Sequence, residues 1–223
     1  MNSPPTGRPK ADTPPRGGDA AGVSGARNIG LFGGSFDPVH LAHLALARQA
    51  LDDLQLDELR WVPAGNPWQK ARAITPAADR VAMLERAIAD EPRFVLERCE
   101  LQRSGPSYTL DTVRELQAAR PGAMWFLLIG QDQYRNLHTW HGFQDLLQRV
   151  TLAVAQRPGS DAAAADPRVR AAPQVALQMP PMDISATDIR ARVAAGQAID
   201  TLVPPAVAQY IHQHRLYRGA AGS

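Results

Sequence analysis

Two rhythms of apolar residues alternate along the chain. Residues 28–32 are a short apolar run that stops at Gly33-Gly34, the length and composition of a strand. Over 41–54, Leu44, Ala47, Leu51 and Leu54 follow at spacings of 3, 4 and 3, the period of one helix face. Strand-like runs recur at 58–62, which Pro63 halts, and at 94–101, 124–129, 150–156 and 174–178. Helical patterns fill 76–90, with Pro76 in the first turn, and 109–119, 143–148, 186–195 and 205–214. The alanine-rich stretch 161–171 reads as an insertion of helical composition, and 63–75, rich in Pro, Gly and Asn, as a loop. Residues 124–129 are apolar throughout, which predicts a central strand covered on both faces. The alternation as a whole predicts an α/β fold: a mostly parallel sheet, helices on both faces, and a small helical C-terminal portion. Ligands of such sheets bind just beyond the carboxyl ends of the strands, so the chemistry is expected there.

Composition narrows the class. With 44% apolar and 21% charged residues in 223, the chain has the make-up of one soluble globular domain, not of a disordered, collagen-like or membrane-bundle protein. Its longest apolar run, 124–130, is strand-sized and far short of the ~18 residues of a membrane span. Residues 1–27 hold five Pro, five Gly and no aromatic, which predicts a disordered tail without a secretory h-region. The expected domain is therefore 28–218, followed by a short flexible C-terminus at 219–223. The net charge of +2 also belongs to the tail, because the body balances 20 cations against 20 anions. That balance excludes a basic nucleic-acid-binding surface. Lys70 is the only lysine outside the tail. The lone cysteine, Cys99, excludes an intrachain disulfide and falls in the expected 94–101 strand as a packed thiol. A cytoplasmic setting is expected.

The first chemical segment is Gly33-Gly34-Ser35-Phe36-Asp37-Pro38-Val39-His40-Leu41-Ala42-His43. Paired glycines after a strand permit a tight turn and let a ligand approach backbone N–H groups. His40 and His43 are expected at i and i+3 of the first helical turn, on one face. At a helix N-terminus they can donate hydrogen bonds to phosphate oxygens that gain charge in a transition state. The plainer reading is a glycine turn followed by two satisfied or solvated histidines. No Walker loop or dinucleotide fingerprint is present. The second segment is Ile184-Ser185-Ala186-Thr187-Asp188-Ile189-Arg190. Ser185 and Asp188 have capping-box spacing, and Ser185, Thr187, free N–H groups and Arg190 suit a phosphate, although such a segment alone is usually just a capped helix.

Together, the two segments resemble the signatures of the nucleotidylyltransferase superfamily, a (His/Thr)-x-Gly-His segment and an Ile-Ser-Ser-Thr-x-(Ile/Val)-Arg segment. Two departures stand out: position 42 is Ala where the signature has Gly, and position 186 is Ala where it has Ser. Ser107-Tyr108-Thr109-Leu110-Asp111-Thr112 and Gly130-Gln131-Asp132 through Trp140 resemble the bacterial nicotinate mononucleotide adenylyltransferase family. Arg157-Pro158-Gly159 and the Leu216-Tyr217 ending do so as well. The resemblance covers about 28–218 and implies a Rossmann-like fold. It also implies transfer of the adenylyl group of ATP to nicotinate mononucleotide, with Mg²⁺ accompanying ATP, no covalent intermediate, and release of pyrophosphate and deamido-NAD.

By the same resemblance, Gly33, Gly34, Ser35 and Phe36 cradle substrate phosphates, with His40 and His43 at the reacting centre. Ser185, Thr187 and Arg190 hold the triphosphate and Asp132 contacts a ribose. Trp140 would stack on the nicotinate ring, with backbone N–H groups near Trp140-His141 taking the carboxylate. Tyr108 and Thr109 complete that pocket, and Arg157 belongs to the same acceptor site. Trp68 and Lys70 would close over the phosphates, unless 63–75 is a solvated connection. No nucleic acid, membrane or protein-bound metal is implied. The rival readings are another superfamily member, such as phosphopantetheine adenylyltransferase, or a non-catalytic nucleotide-binding module.

Overall fold

The computed structural model describes residues 27–65, 74–156, 165–179 and 181–218. Most of the expected tail, Trp68, Lys70, Arg157-Pro158-Gly159, the start of the alanine-rich insertion and 219–223 lie outside the described residues. The elements run β1 (Asn28–Gly34), α1 (Leu41–Asp53), β2 (Glu58–Pro63), α2 (Ala77–Ile88), β3 (Phe94–Leu96), α3 (Cys99–Gln102) and α4 (Thr109–Ala119). They continue with β4 (Met124–Gly130), α5 (Gln131–Asn136), a 3₁₀ turn (Leu137–Thr139), α6 (Phe143–Arg149), β5 (Thr151–Gln156) and α7 (Pro167–Arg170). The last three are β6 (Gln174–Gln178), α8 (Ala186–Ala194) and α9 (Pro205–Gln213).

The strands pair in parallel in the order β3-β2-β1-β4-β5-β6. The chain winds outward from β1 to β3, then crosses back to β4 and winds the other way. Strand order therefore reverses between β1 and β4, and a crevice opens beyond their carboxyl ends. Gly33 pairs with Val62 and Gly34 with Pro63, so the two glycines expected to form a turn instead extend β1, because residues without side chains fit a ladder as well as a turn; they and Gly130 end at this crevice.

β4 shows why the sheet needs two covered faces. Trp125, Leu127 and Ile129 enter a core with α4 and α6, while Phe126 and Leu128 enter a second core with α1, α2 and α9. Burying each such leucine contributes about 1.5–3 kcal/mol, so a polar residue anywhere in this run would cost one core or the other. α8 and α9 form the helical C-terminal portion and add Ile189, Val207 and Ile211 to the second core.

Two elements differ from the expectation. The strand expected over 94–101 is only Phe94–Leu96, an edge strand, and Cys99 opens α3 instead of lying in a strand. The Glu97 N–H still reaches the Trp61 carbonyl at 2.8 Å, after which Leu101 and Gln102 close a helical turn onto the Arg98 carbonyl. Here the charged Glu97-Arg98 pair interrupts the apolar run, and short edge strands limit unpaired backbone. α5 and its 3₁₀ turn carried no predicted element. Only Gln131, Tyr134 and Leu137 are buried over that segment, too few for periodicity to be legible.

Candidate active site

A cleft of about 790 Å³ opens at the reversal of strand order, a size suited to one or two small ligands. Gly33, Gly34, Ser35, Phe36, His40, His43, Tyr108, Thr109, Asp132, Trp140, His141 and Ser185 all line it. The fold thus gathers candidates from β1, α1, α4, α5 and α8 around one cavity. Thr187 and Arg190 are not in its wall, and Lys70 and Arg157 lie outside the described residues.

The end of β1 and the turn after it shape one side. A Cβ built on Gly33 would meet nothing within 4 Å, so packing does not demand glycine there and its open side faces the cleft. Phe36 takes a left-handed backbone, φ 46°, which is strained for a residue with a side chain. Its ring holds it there, packed at 5.5 Å from Phe32, 5.4 Å from Trp61 and 5.2 Å from His43. The Phe36 side chain is therefore core, and its backbone is the part available to a ligand.

His40 does not occupy the first helical turn. It is the N-cap of α1, with extended backbone at φ −146°, and His43 is the third helical residue. The His40 N–H donates to His43 Nδ1 at 3.3 Å. A neutral His43 ring therefore carries its proton on Nε2. Despite the different backbone, the two rings stack at 3.6 Å and 21°. His40 is buried, and loss of hydration pulls its pKa from 6.5 down to about 4, so it is neutral at neutral pH. Its Nδ1 is buried without a hydrogen-bond partner.

A buried scaffold braces this turn. Arg80 of α2 is 1% exposed and donates to three backbone carbonyls: Ser35 at 2.9 Å, Ala64 at 2.8 Å and Thr75 at 3.0 Å. Burial disfavours its charge, and Asp37 offsets part of that cost. Asp37 is fully buried and accepts from the Tyr217 hydroxyl at 2.8 Å. Burial, and then the Asp37 charge, push the Tyr217 phenol above its ordinary range. Arg80 thereby ties the loops after β1 and β2 to the start of α2, and Tyr217 ties the Asp37 turn to the end of the fold.

At α8, Ser185 caps the helix by accepting from the Asp188 N–H at 3.1 Å. The expected return half of a capping box is absent, because the Asp188 carboxylate takes Arg192 Nε at 2.9 Å. Arg190 donates to the Asp37 carbonyl at 2.7 Å and to Thr187 Oγ1 at 3.1 Å, so it braces the histidine turn from behind. Ala186, one of the two departures from the signature, lines the cleft, as does the other, Ala42.

Across the cleft, the Tyr108 and His141 rings stack at 4.3 Å beside half-buried Trp140. The Trp140 N–H is engaged by the Leu137 carbonyl at 3.0 Å, which leaves His141 as the neighbouring residue of this segment in the cleft wall. Glu100 lies beneath this wall. Burial raises its pKa, while Thr112 Oγ1 donates to it at 2.9 Å. Arg80, Glu100 and Arg135 were not among the sequence candidates. Arg80 had a signal: it occupies the buried stripe 80, 83, 84, 88 of α2, where an apolar residue is expected. Glu100 and Arg135 lie on helices too short for such a stripe.

Comparison with known proteins adds sequence-level likeness. A family model described as Cytidylyltransferase-like matches residues 31–192. The chain is 50% identical over 205 residues to a probable nicotinate-nucleotide adenylyltransferase of Methylibium petroleiphilum, covering 90% of this chain and 97% of the relative. A protein of the same description from Bordetella pertussis is 47% identical, covering 87% of this chain and all of the relative. Among solved structures, a Plasmodium falciparum nicotinic acid mononucleotide adenylyltransferase complexed with NaAD superposes with TM-score 0.74 at 19% identity, covering 86% of this chain and 97% of that one. At that identity the likeness is one of fold.

Proposed function

Because the chain belongs to the cytidylyltransferase-like family and, within it, to the nicotinate-nucleotide adenylyltransferases, we propose that it transfers the adenylyl group of ATP to nicotinate mononucleotide, yielding deamido-NAD and pyrophosphate. One observation carries the reading at the site. The stacked His40–His43 pair and the Trp140 wall share one cleft at the reversal of strand order.

A 5′-phosphate oxygen of the mononucleotide attacks the α-phosphorus of ATP in line. The new P–O bond forms as the α–β bridge breaks, and pyrophosphate leaves with the bond's electron pair. The attacking oxygen is already anionic, so the protein's work is positioning and charge stabilisation rather than proton removal. His43 presents Nε2–H, and backbone N–H groups of the Gly33–Phe36 turn present donors, to phosphate oxygens that gain charge. His40, neutral and stacked on His43, fixes that ring's tautomer through its own N–H. Ser185 and the first turn of α8 receive the triphosphate, with Arg190 and Thr187 holding that helix against the Asp37 turn. Thr109 and the donors near His141 face the nicotinate carboxylate, Trp140 faces its ring, and Asp132 a ribose. Lys70 and Arg157 belong to the same reading.

Among the described residues, no group of three or more His, Cys, Asp or Glu is placed to hold a metal. Mg²⁺ would be held by the ATP phosphates and waters rather than by a cage of protein ligands, and when bound would supply neutralisation of phosphate charge. No described helix is long and apolar enough to cross a membrane. The reading sets this reaction in the cytoplasm on the ground that ATP is its substrate.

The test is pyrophosphate release with ATP, Mg²⁺ and either nicotinate or nicotinamide mononucleotide. N–H donors suit a carboxylate, whereas an amide NH₂ facing them leaves buried groups unpaired at about 1–3 kcal/mol each. The expected result is a clear kcat/KM preference for the acid, and a kcat about 10²–10³ lower in His43→Ala. Equal use of the two mononucleotides would overturn the acceptor assignment. Near-parental kcat in His43→Ala would overturn its catalytic role.

A further inference from the structure

Arg135 has no role in the account above, yet it stands in the wall of the cleft. Among the described lining residues it is the only permanently charged cation, facing a cavity that also carries Asp37, Glu100 and Asp132. Substrates bearing a triphosphate, a monophosphate and a carboxylate need cationic partners once water is displaced. Arg135 Nε is buried with no hydrogen-bond partner, a state that folded proteins seldom leave uncompensated. Its Nη1 lies 3.7 Å from Asp132 Oδ1, beyond hydrogen-bond reach, and that carboxylate is 92% exposed. The pair is therefore loose and leaves the guanidinium fork available to another acceptor.

Position selects the acceptor nucleotide. Arg135 lies on α5, between Asp132 and the turn that carries Trp140, and its carbonyl meets His138 Nδ1 at 3.1 Å, joining helix to turn. That wall leads to the Trp140 platform, whereas the β1 turn and α8 form the phosphate side for ATP. A planar guanidinium fits two oxygens of one carboxylate or one phosphate. We infer that Arg135 binds an anionic oxygen pair of the acceptor mononucleotide and sets the affinity for it. The inference rests on the adenylyltransferase reading.

The experiment uses the full chain with Arg135→Ala, Arg135→Lys and Asp132→Ala. KM is measured for ATP, nicotinate mononucleotide and nicotinamide mononucleotide, and Kd for each mononucleotide by equilibrium dialysis. Arg135→Ala is expected to raise KM and Kd for nicotinate mononucleotide about tenfold or more, the loss for one charge-assisted contact. KM for ATP, kcat and melting temperature should stay near parental, and Arg135→Lys should restore part of the affinity. If the carboxylate is the partner, only the acid weakens and the preference over the amide collapses. If the phosphate is the partner, both mononucleotides weaken alike. Unchanged acceptor KM and Kd, or an effect confined to ATP, overturns the inference. So does the same loss in Asp132→Ala with no further loss in the double variant, which would assign the effect to Asp132. Turnover by the parent tests the adenylyltransferase reading separately, and dialysis reads binding whether or not turnover occurs.

Discussion

Protonation of His40 should cost stability in one pH window and nowhere else. Above pH 6.5 its ring is neutral in both folded and unfolded chains and contributes nothing to pH dependence. Below 6.5 the unfolded chain takes a proton that the folded chain refuses until about pH 4, because the buried ring would lose its hydration. The His40 contribution to stability therefore falls as pH drops from 6.5 to about 4 and then levels off. At 1.36 kcal/mol per pKa unit, the gap reaches about 3 kcal/mol in full, and about 2 kcal/mol at pH near 5. The perturbation is His40→Asn, which keeps a short polar residue at the N-cap of α1 but does not titrate. Urea unfolding of parent and variant at pH near 7.5 and near 5 gives two differences. Carboxylates remote from His40 titrate in both proteins and largely cancel in the comparison. The parent should lose about 2 kcal/mol more than His40→Asn between the two pH values. Equal losses in both would refute the argument that His40 is held neutral by burial.

Two more expectations concern the same turn. Gly33→Ala places a methyl in open space, so urea unfolding should read stability within about 1 kcal/mol of parental, while KM for ATP rises. An unchanged KM would remove the Gly33 backbone from the phosphate cradle. Arg80→Met leaves three carbonyls and buried Asp37 without their cation, and should lower unfolding free energy by about 3–5 kcal/mol. A loss below about 1 kcal/mol would mean that the scaffold does not depend on Arg80.

The sequence made the frame legible where one physical cause dominates. Residues 124–129 had to be a doubly covered strand because no face of the run is polar, and β4 is that strand. The histidines were legible because they follow closely on a strand end, whereas Gly33 and Gly34, expected as a turn, extend β1. What stayed hidden depends on backbone groups far apart in the chain. The Arg80 partners are carbonyls up to 45 residues away, and every residue has a carbonyl, so no side-chain pattern announces them. The N-cap position of His40 was misread because a helix start shifts by a residue or two without changing the apolar period. α3 and α5 were invisible because four and six residues cannot display a period of 3.6.

The Tyr217–Asp37 hydrogen bond joins residues 180 positions apart. A ribosome delivers the glycine turn, both histidines and the whole sheet before it delivers the phenol that closes the Asp37 turn. A nascent chain that has reached α8 can therefore fold its strands around β1 and β4 while the buried carboxylate still lacks that donor. Long-range closure of this kind comes late in folding, after the local contacts that make it cheap. The histidine turn is thus synthesised early in the body, and its contact with Tyr217 is completed only when the end of the fold arrives. A chain ending short of Tyr217 would lack this one donor to Asp37, leaving Arg80 and Arg190 to hold the turn by its carbonyls.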